Sequence, residues 1–359
     1  MIRRPLLILA TTVLVLAIMA SGAWFYAREA AFAAVDAWVA EQRAQGTAIS
    51  WASRTIAGWP LRLDGRFAAP RAVMTTPGRT FDWQGPDAAV RFYIFAPDTV
   101  DLAAPGRHTL AIDEDNARTV FTLDAKTLDA RTDTGLAAGG PAGTDVAAGA
   151  TGLDLRGPED AAIATAHALQ VTWHQPAVSA TPPESGPLPV ALRAALRIDG
   201  LTLAPGMLPP TPQPILGNDI TVVRTELAVN GAIDPHRPPP EALAAWRAVG
   251  GYVDVTRFEI EWGPVRLVGD GTLALDDALQ PEGAFAARVS GLADILTAME
   301  NTKMIDARTA AIARITLAVL TRPSEDGGPP EARVPLTIQN SVLSVGPVAL
   351  LKLPAITWR

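Results

Sequence analysis

The four histidines are the first side chains to consider for catalysis or metal binding: His108, His167, His174 and His236. None has a second histidine or a carboxylate at a metal-ligand spacing such as H-x-x-x-H, which places two ligands on one helix face. The sequence contains no cysteine, so thiolate catalysis, zinc fingers, iron–sulfur clusters and disulfides are excluded. We therefore expect surface histidines, and neither a metal site nor a cofactor site.

The densest acidic cluster is the D-E-D-N segment at Asp113–Asn116. Hard cations such as calcium bind several oxygen ligands, but this segment lacks the central glycine and distal glutamate of an EF-hand loop. A solvated hairpin turn is the favoured interpretation. The pair Asp276–Asp277 is assigned to the end of a hairpin, because adjacent strand residues point to opposite faces. No nucleophile motif occurs either, so the sequence predicts a protein that is not an enzyme.

The tryptophans are the remaining candidates for a binding role, and the chain has nine of them. Trp59, Trp83 and Trp262 fall on or beside expected β-strands. Large rings of this kind line apolar grooves that bury acyl chains. Ordinary core packing is the competing interpretation of the same residues.

Composition limits the class of protein and its partners. The 359 residues carry a net charge of −7, are 48% hydrophobic and are 19% charged, which is typical of a folded chain. The basic residues are scattered singly, so no stripe is present to neutralise phosphates. Nucleic acid is therefore not an expected partner.

The N-terminal segment has the pattern of a membrane anchor. Arg3 and Arg4 precede a run from Pro5 to Ala27 that contains no charge. As a helix this run spans roughly 30–35 Å, enough for the hydrocarbon core of a bilayer. The aromatic cluster Trp24, Phe25 and Tyr26 suits the membrane–water interface, and the positive-inside rule keeps the arginines in the cytoplasm.

This pattern predicts a single-pass protein of the bacterial inner membrane. Residues 1–4 form a cytoplasmic head, residues 5–27 the transmembrane anchor, and everything beyond is exported to the periplasm. One competing interpretation is a cleaved signal peptide, with an apolar stretch at Leu6–Met19 and small residues at Ser21–Ala23. The other is a soluble core helix.

Beyond the anchor the pattern predicts a periplasmic helix at 28–46 and a β-rich domain over 47–359. Apolar and polar residues alternate in Leu61–Phe67 and Tyr252–Trp262, among other segments. Helices are expected near 154–168, 238–249 and 292–304, and a strand at 315–320. The Ala- and Gly-rich stretch at 135–150 marks a candidate division between pseudo-repeats. The fold class is therefore α+β: an N-terminal transmembrane helix, then a large curved, mostly antiparallel β-sheet domain with a few packed helices.

Three turn-and-strand motifs carry a resemblance to a known family. They are G-W-P-L-R-L at Gly58–Leu63, W-G-P-V-x-L at Trp262–Leu267 and G-x-L-x-L-D at Gly271–Asp276. With these motifs in this order, the chain resembles an alphaproteobacterial family of unknown function whose members carry an N-terminal anchor. The later motifs are loosely similar to AsmA-like envelope proteins, whose strands build long curved sheets. The resemblance implies an anchored envelope protein and assigns no functional residue.

Two functions fit these expectations. The first is a non-enzymatic envelope protein that binds or shelters a lipid-like apolar ligand in its curved sheet. The alternative is a membrane-tethered scaffold that binds another envelope protein through a sheet edge. An enzyme would need a polar cluster assembled from residues that are distant in sequence.

Overall fold

The structure is a computed structural model. It describes residues 3–76, 78–115, 117–133, 143–176, 187–207, 216–234, 237–301, 306–322, 330–345 and 348–358. The chain divides into two compact units, which we call the N-terminal unit (1–139 and 150–162) and the C-terminal unit (140–149 and 163–359). Each unit is described by itself. The low-complexity stretch at 135–150 lies partly outside the described residues, and the pseudo-repeat stays a prediction.

One helix of 42 residues, α1 (Arg3–Ala44), begins the N-terminal unit. It continues through the segment in which a second helical part was predicted. Gly46 follows with a φ of 89°, and its N–H donates to the Arg43 carbonyl, as in a glycine C-cap. Within the part of the chain that the structure describes, no helix combines the length and the apolarity of a membrane-crossing segment.

Ten described strands of the N-terminal unit follow α1, and an eleventh begins in residues assigned to the C-terminal unit and ends in the N-terminal unit. They are β1 (Thr47–Ser50), β2 (Ser53–Ala57), β3 (Arg62–Ala68), β4 (Arg71–Thr76), β5 (Arg79–Gln84), β6 (Ala88–Tyr93), β7 (Ala96–Ala103), β8 (Gly106–Glu114), β9 (Ala117–Ala125), β10 (Thr127–Asp133) and β11 (Thr144–Arg156). One antiparallel ladder runs β1-β4-β5-β8-β9, and the last residues of β11 pair with β9. The second antiparallel ladder runs β2-β3-β6-β7-β10.

The C-terminal unit is built on an antiparallel meander. Its strands are β12 (Ala162–Gln175), β13 (Val190–Leu203), β14 (Asp219–Asn230), β15 (Tyr252–Trp262), β16 (Val265–Leu275), β17 (Pro281–Ser290), β18 (Thr321–Arg322), β19 (Glu331–Gln339), β20 (Val342–Val345) and β21 (Val348–Lys352). Strands β12 to β17 pair in sequence order, β17 then pairs with β19, and β20 and β21 extend the sheet. The two residues of β18 pair with the start of β19.

Within the described ranges, the connections of this meander contain the helices α2 (Pro239–Ala248), α3 (Leu292–Asn301) and α4 (Ala307–Leu320). The first begins after Pro238 and ends before Gly250–Gly251, as its sequence predicts. Its Trp246 is 3% exposed, and the indole N–H donates to the carbonyls of Asn230 and Gly231, which fixes α2 at the end of β14. The fold is therefore a large, mostly antiparallel sheet with few helices, as predicted.

Two predicted elements are wrong. The expected helix at 154–168 is instead the end of β11, a single 3-10 turn at Pro158–Asp160 and the start of β12. Glu159 takes a φ of 59°, which stops the turn from continuing as a helix. The expected strand at 315–320 lies inside α4. A short apolar run fits either element by periodicity, and here the Ala-rich residues before it extend the helix.

Candidate functional site

The sheet of the C-terminal unit has one face made of apolar side chains. The register aligns positions on β12 to β17 and β19 into four rows, and the alternation of each strand turns the four rows toward the same face. The rows are Leu169, Ile198, Val223, Ile260, Leu267, Val289, Ala332; Val171, Leu196, Thr225, Phe258, Gly269, Ala287, Val334; Trp173, Ala194, Leu227, Val255, Gly271, Phe285, Leu336; and Leu192, Val229, Val253, Leu273, Gly283, Ile338. No position in these rows is charged, and Thr225 is their one polar side chain. We call this set the apolar face.

The side chains of the apolar face are not covered as a core would be. Every leucine, isoleucine, valine and phenylalanine in the rows is half-buried, and Trp173 is 45% exposed. Among the described residues, no large side chain is less than 2% exposed. In a two-layer β structure the facing layer buries such side chains. The large side chains of the apolar face are therefore shielded at their sides by neighbours on adjacent strands, but no second layer of described residues covers them.

Two phenylalanine rings occupy the middle of this face, above glycines on β16. The rings of Phe258 and Phe285 meet edge to face, with centroids 5.9 Å apart. A Cβ placed on Gly269 would lie 2.5 Å from the Phe258 ring, and one on Gly271 would lie 2.5 Å from the Phe285 ring. The same Cβ atoms would come within 2.5 Å or less of carbonyl oxygens on β17. Glycine at these positions therefore makes room for the aromatic pair.

The opposite face of the same strands carries ion pairs. Arg257 and Arg266 reach Glu259 at 2.6 and 2.8 Å, and Arg266 also lies 3.3 Å from Glu261. Further pairs on this face join Arg197 to Asp199, Arg224 to Glu226 and Arg288 to Glu331. We call it the charged face. The clean separation of charge and apolar surface follows from the period of two along every strand.

Glu259 is the most enclosed carboxylate of the charged face, at 6% exposure. Burial raises its pKa, but hydrogen bonds from Arg257 and Arg266 outweigh that effect and hold the pKa of Glu259 below its ordinary value. The carboxylate therefore stays ionised at neutral pH. The arrangement is that of a structural ion-pair network, because both partners of Glu259 are permanently charged guanidinium groups.

Two open grooves cross β16, β17 and β19, with volumes of about 480 and 560 Å³. Most of the exposed side chains that line these grooves, such as Thr272, Ala284 and Arg333, lie on the charged face of the sheet. Small side chains form much of the floor. A shallow groove with this lining offers no set of groups that converges on a reacting atom.

The three tryptophans predicted to line a groove have separate local partners. The Trp59 indole N–H donates to Ser21 Oγ at 3.2 Å, and Trp83 on β5 stacks on His108 with centroids 5.9 Å apart. Trp262 is the last residue of β15 and lies on the same face of the strand as Phe258 and Ile260. Its N–H donates to the Gly217 carbonyl at 3.0 Å. Trp262 is thus the one of the three that borders the apolar face, and a groove role stays a prediction for all three. Trp173 alternates with Val171 along β12 and contributes a further tryptophan ring to the apolar face.

The predicted anchor residues separate in the structure. Arg3 and Arg4 lie in the first turn of α1. Trp24 is 6% exposed, and its indole N–H donates to the Arg62 carbonyl at 2.9 Å. Phe25 and Tyr26 are 57% and 79% exposed. Trp24 thus packs on the domain, and the other two aromatic side chains face outward.

The polar candidates form no reactive constellation in the described residues. His108 is 8% exposed, and its Nε2 lies 2.9 Å from the Ala104 carbonyl oxygen, so the prediction of a surface side chain is wrong for this histidine. Its apolar neighbour Trp83 supplies the cover. His174 lies 2.5 Å from Asp145, and His236 lies outside the described residues. No group of three or more potential metal ligands occurs within the described ranges.

Both acidic segments are turns, as predicted. Between β8 and β9, Asp115 has a φ of 49°, and Asp113 accepts hydrogen bonds from Arg118. Between β16 and β17, Asp276 Oδ1 accepts from the backbone N–H groups of Ala278 and Gln280 at 2.8 and 2.7 Å. These carboxylates stabilise hairpins by bonding to the local backbone or to a cross-strand arginine.

Comparisons with known proteins identify a family but no characterised relative. No curated protein and no solved structure matches the chain significantly. A family model described as an uncharacterized protein conserved in bacteria, DUF2125, matches residues 24–354 of the 359. The matched range includes the G-W-P-L-R-L and W-G-P-V-x-L motifs, while the alphaproteobacterial and AsmA-like parts of the resemblance stay predictions. The chain therefore belongs to the DUF2125 family of bacterial proteins.

Proposed function

We propose that the protein is a non-enzymatic, membrane-anchored envelope protein whose apolar face holds the acyl chain of a lipid. The observation that carries the proposal is the apolar face itself: four uncharged rows across seven strands, in which the large side chains are at most half-buried and only the small residues Gly269, Ala287 and Ala332 are buried. Leaving such a surface open in water is unfavourable by about 25 cal/mol per Å² of apolar area. An apolar occupant removes that penalty.

The dimensions of the apolar face favour a long, narrow occupant. Adjacent rows are two residues apart along a strand, and neighbouring strands are about 4.8 Å apart, so the face measures roughly 20 by 29 Å. This footprint of about 600 Å² is at the upper end of the apolar patches of soluble monomers, which are about 300–600 Å². An acyl chain is about 15 Å long, half of a 30 Å bilayer core, and fits along either direction of the face.

The chemistry of the face favours lipid over a protein partner. Protein interfaces combine an apolar centre with hydrogen bonds, about one per 100–200 Å². The four rows offer one hydroxyl, that of Thr225, and their backbone groups are already engaged in the ladders. A hydrocarbon chain requires no hydrogen bond, so it matches this surface.

Membrane attachment is the second part of the proposal, and the N-terminal sequence supports it. The run Pro5–Ala27 is free of charge and follows Arg3 and Arg4. On α1, Leu14, Ile18 and Met19 are 59%, 63% and 65% exposed. These apolar side chains do not pack on the domain, and a bilayer would cover them. By the positive-inside rule, Arg3 and Arg4 favour a cytoplasmic N-terminus, which supports a periplasmic location for the domain.

Photocrosslinking tests the ligand. The full chain is reconstituted in lipid nanodiscs with a fatty acid that carries a photoreactive group at its chain end, and the adducts are mapped by peptide mass spectrometry. Adducts on peptides of β13 to β17 are expected, because these strands form the centre of the apolar face. Adducts confined to α1 would show contact with bulk bilayer only, and would contradict binding by the sheet.

A second photocrosslinking experiment, in native membranes and with a photoreactive residue on the protein, addresses the scaffold alternative. The last described strand of the C-terminal sheet is β21 (Val348–Lys352), which pairs with β20. A discrete protein adduct from a photoreactive residue on β21, without lipid adducts on β13 to β17, would favour a partner protein at this sheet edge over a lipid.

A further inference from the structure

One end of the second ladder in the N-terminal unit carries exposed aromatic and aliphatic side chains beside α1. Trp59 and Leu61, in the turn between β2 and β3, are 55% and 58% exposed. Phe95, in the turn between β6 and β7, is 83% exposed. The Ile94 N–H donates to the Leu61 carbonyl at 3.3 Å, which holds the two turns together. We call these two turns, with Phe25 and Tyr26 on the helix, the interfacial edge.

We propose that the interfacial edge rests at the boundary between the acyl chains and the headgroups of the membrane, so that the N-terminal unit lies directly on the bilayer. The inference rests on the anchoring part of the proposed function and does not depend on ligand binding by the apolar face. It adds a second membrane contact, made by the folded domain.

The hydrogen bonds between the turns and the helix set the position of this edge. The Trp59 N–H donates to Ser21 Oγ at 3.2 Å, and the Trp24 N–H donates to the Arg62 carbonyl at 2.9 Å. Both contacts fall on the last part of the charge-free run, which ends at Ala27. The domain therefore touches α1 before the uncharged segment is complete.

The rise per residue of α1 gives the depth of this contact in the bilayer. At about 1.5 Å per residue, Ser21 lies about 9 Å below Ala27 along the helix axis. Each headgroup layer is roughly 5–8 Å thick outside a hydrocarbon core of about 30 Å. A helix that crosses with residues 5–27 is about 33 Å long, so around a centred core of about 30 Å Ser21 lies about 7 Å and Trp24 about 3 Å inside the core edge. The turns that contact these two residues therefore meet the bilayer at the boundary between acyl chains and headgroups. Tryptophan and phenylalanine side chains are stable at that level, and tryptophan and tyrosine are enriched there.

The burial pattern around Trp24 agrees with this placement. Trp24 is 6% exposed and packs edge to face on Phe25, with centroids 5.2 Å apart. It joins the helix to the domain, while Phe25, Tyr26, Trp59, Leu61 and Phe95 remain outside that contact. Five large side chains from three segments of one unit are thus exposed near the end of the charge-free run, and apolar exposure gathered in one region marks an interaction surface.

Site-directed fluorescence tests the inference, because a chain without cysteine accepts a single thiol label. Three variants of the full chain, Phe95→Cys, Ala89→Cys and Leu14→Cys, carry a nitrobenzoxadiazole label. Each is reconstituted into phosphatidylethanolamine–phosphatidylglycerol vesicles that contain a lipid with a spin-labelled headgroup region. Ala89 is the matched control: it is exposed on β6, four residues and about 13 Å from the end of the strand at Tyr93.

The Phe95 label should be quenched about threefold more strongly than the Ala89 label, since only the former reaches the interface. Equal quenching at both sites, with the Leu14 label in lipid, would overturn the interfacial edge and leave the anchor standing. A Leu14 label in water would overturn the anchor and this inference together. Leu61→Cys provides a second site, and it should behave as Phe95→Cys does.

Discussion

The two faces of the C-terminal sheet show opposite relations between polarity and burial. On the charged face, Glu259 is 6% exposed, and guanidinium groups surround it. On the apolar face, leucines such as Leu227 and Leu336 are half-buried, and Trp173 is 45% exposed. A fold whose core lay on the apolar side would have the reverse order, because apolar side chains are usually the most buried. The difference supports the proposal that the apolar face binds an occupant rather than forming half of a core.

The comparison also shows how the sheet remains stable with one face uncovered. Antiparallel sheets tolerate exposure of one face, and their ladders satisfy the backbone groups. On the charged face, Arg257 and Arg266 converge on Glu259 and link β15 to β16. Side-chain pairs of this kind stabilise the sheet from the polar side. The apolar face is then available for an occupant without loss of the fold.

The largest expected effect comes from a charge on the apolar face. Leu336→Lys places an ammonium group in the third row, where it would have to leave water for hydrocarbon. We expect photoreactive fatty-acid labelling of the sheet to fall by about a thousandfold, since burying an unpaired charge costs several kcal/mol and each 1.4 kcal/mol is about tenfold. The measurement is adduct yield on peptides of β13 to β17.

Thr337→Lys is the matched control for that variant. Thr337 is the next residue of β19, is exposed, and has the register of the charged face. Its labelling should equal that of the unmodified chain. Equal labelling of both lysine variants would mean that the probe does not occupy the apolar face.

The second effect concerns the stability of the apolar face itself. Gly271→Val would place a side chain 2.4 Å from the Ala284 carbonyl oxygen and 2.5 Å from the Phe285 ring. The strand pair and the ring must both shift, so we expect a loss of about 3 kcal/mol in the free energy of unfolding. Urea unfolding of the detergent-solubilised full chain, followed by tryptophan fluorescence, measures it.

Ala286→Val serves as the comparison, because Ala286 is exposed on β17 and faces the charged side. A β-branched residue there should change the stability by about 0.5 kcal/mol or less. Should Gly271→Val prove as mild as Ala286→Val, the contact between glycine and aromatic ring would not determine the packing of this face.

The sequence predicts much of this sheet, because alternation is a local property. Tyr252–Trp262 alternates clearly, and the structure has β15 at those residues. Alternation assigns each residue to a face of its own strand. It does not give the register between strands, and the four rows exist only once Val223, Ile260 and Leu267 are aligned by pairing. From alternation alone, a groove lined by Trp59, Trp83 and Trp262 is therefore expected, but only Trp262 borders the apolar face.

Local pattern is least informative where one segment fits two structures. The Ala-rich residues at 154–168 have high helix propensity, yet they pair as β11 and β12 because pairing with neighbouring strands overrides a weak preference. Trp24 shows a similar limit at the anchor. Its type suits a membrane interface, but a carbonyl on β3 binds its N–H, and that contact depends on a turn 38 residues away.

The smallest expected effect tests the charged face through Glu259. Its pKa lies below the ordinary value, so the folded state binds this proton more weakly than the unfolded state does. The stability from this group is therefore fully present above the unfolded pKa of about 4.3, and it is lost as pH falls through the lower, folded pKa. Glu259→Gln should reduce the free energy of unfolding at pH 7 by about 2 kcal/mol, because Arg257 and Arg266 lose a charged acceptor. Unfolding curves from pH 7 to pH 3 should converge for the variant and the unmodified chain at the acid end.

Glu261→Gln is the control: its side chain is 37% exposed and reaches one arginine at 3.3 Å, so its effect should stay below about 1 kcal/mol. A constant gap between the two curves at every pH would show that Glu259 acts through its shape rather than its charge, and the charged face would then not depend on ion pairing for its stability.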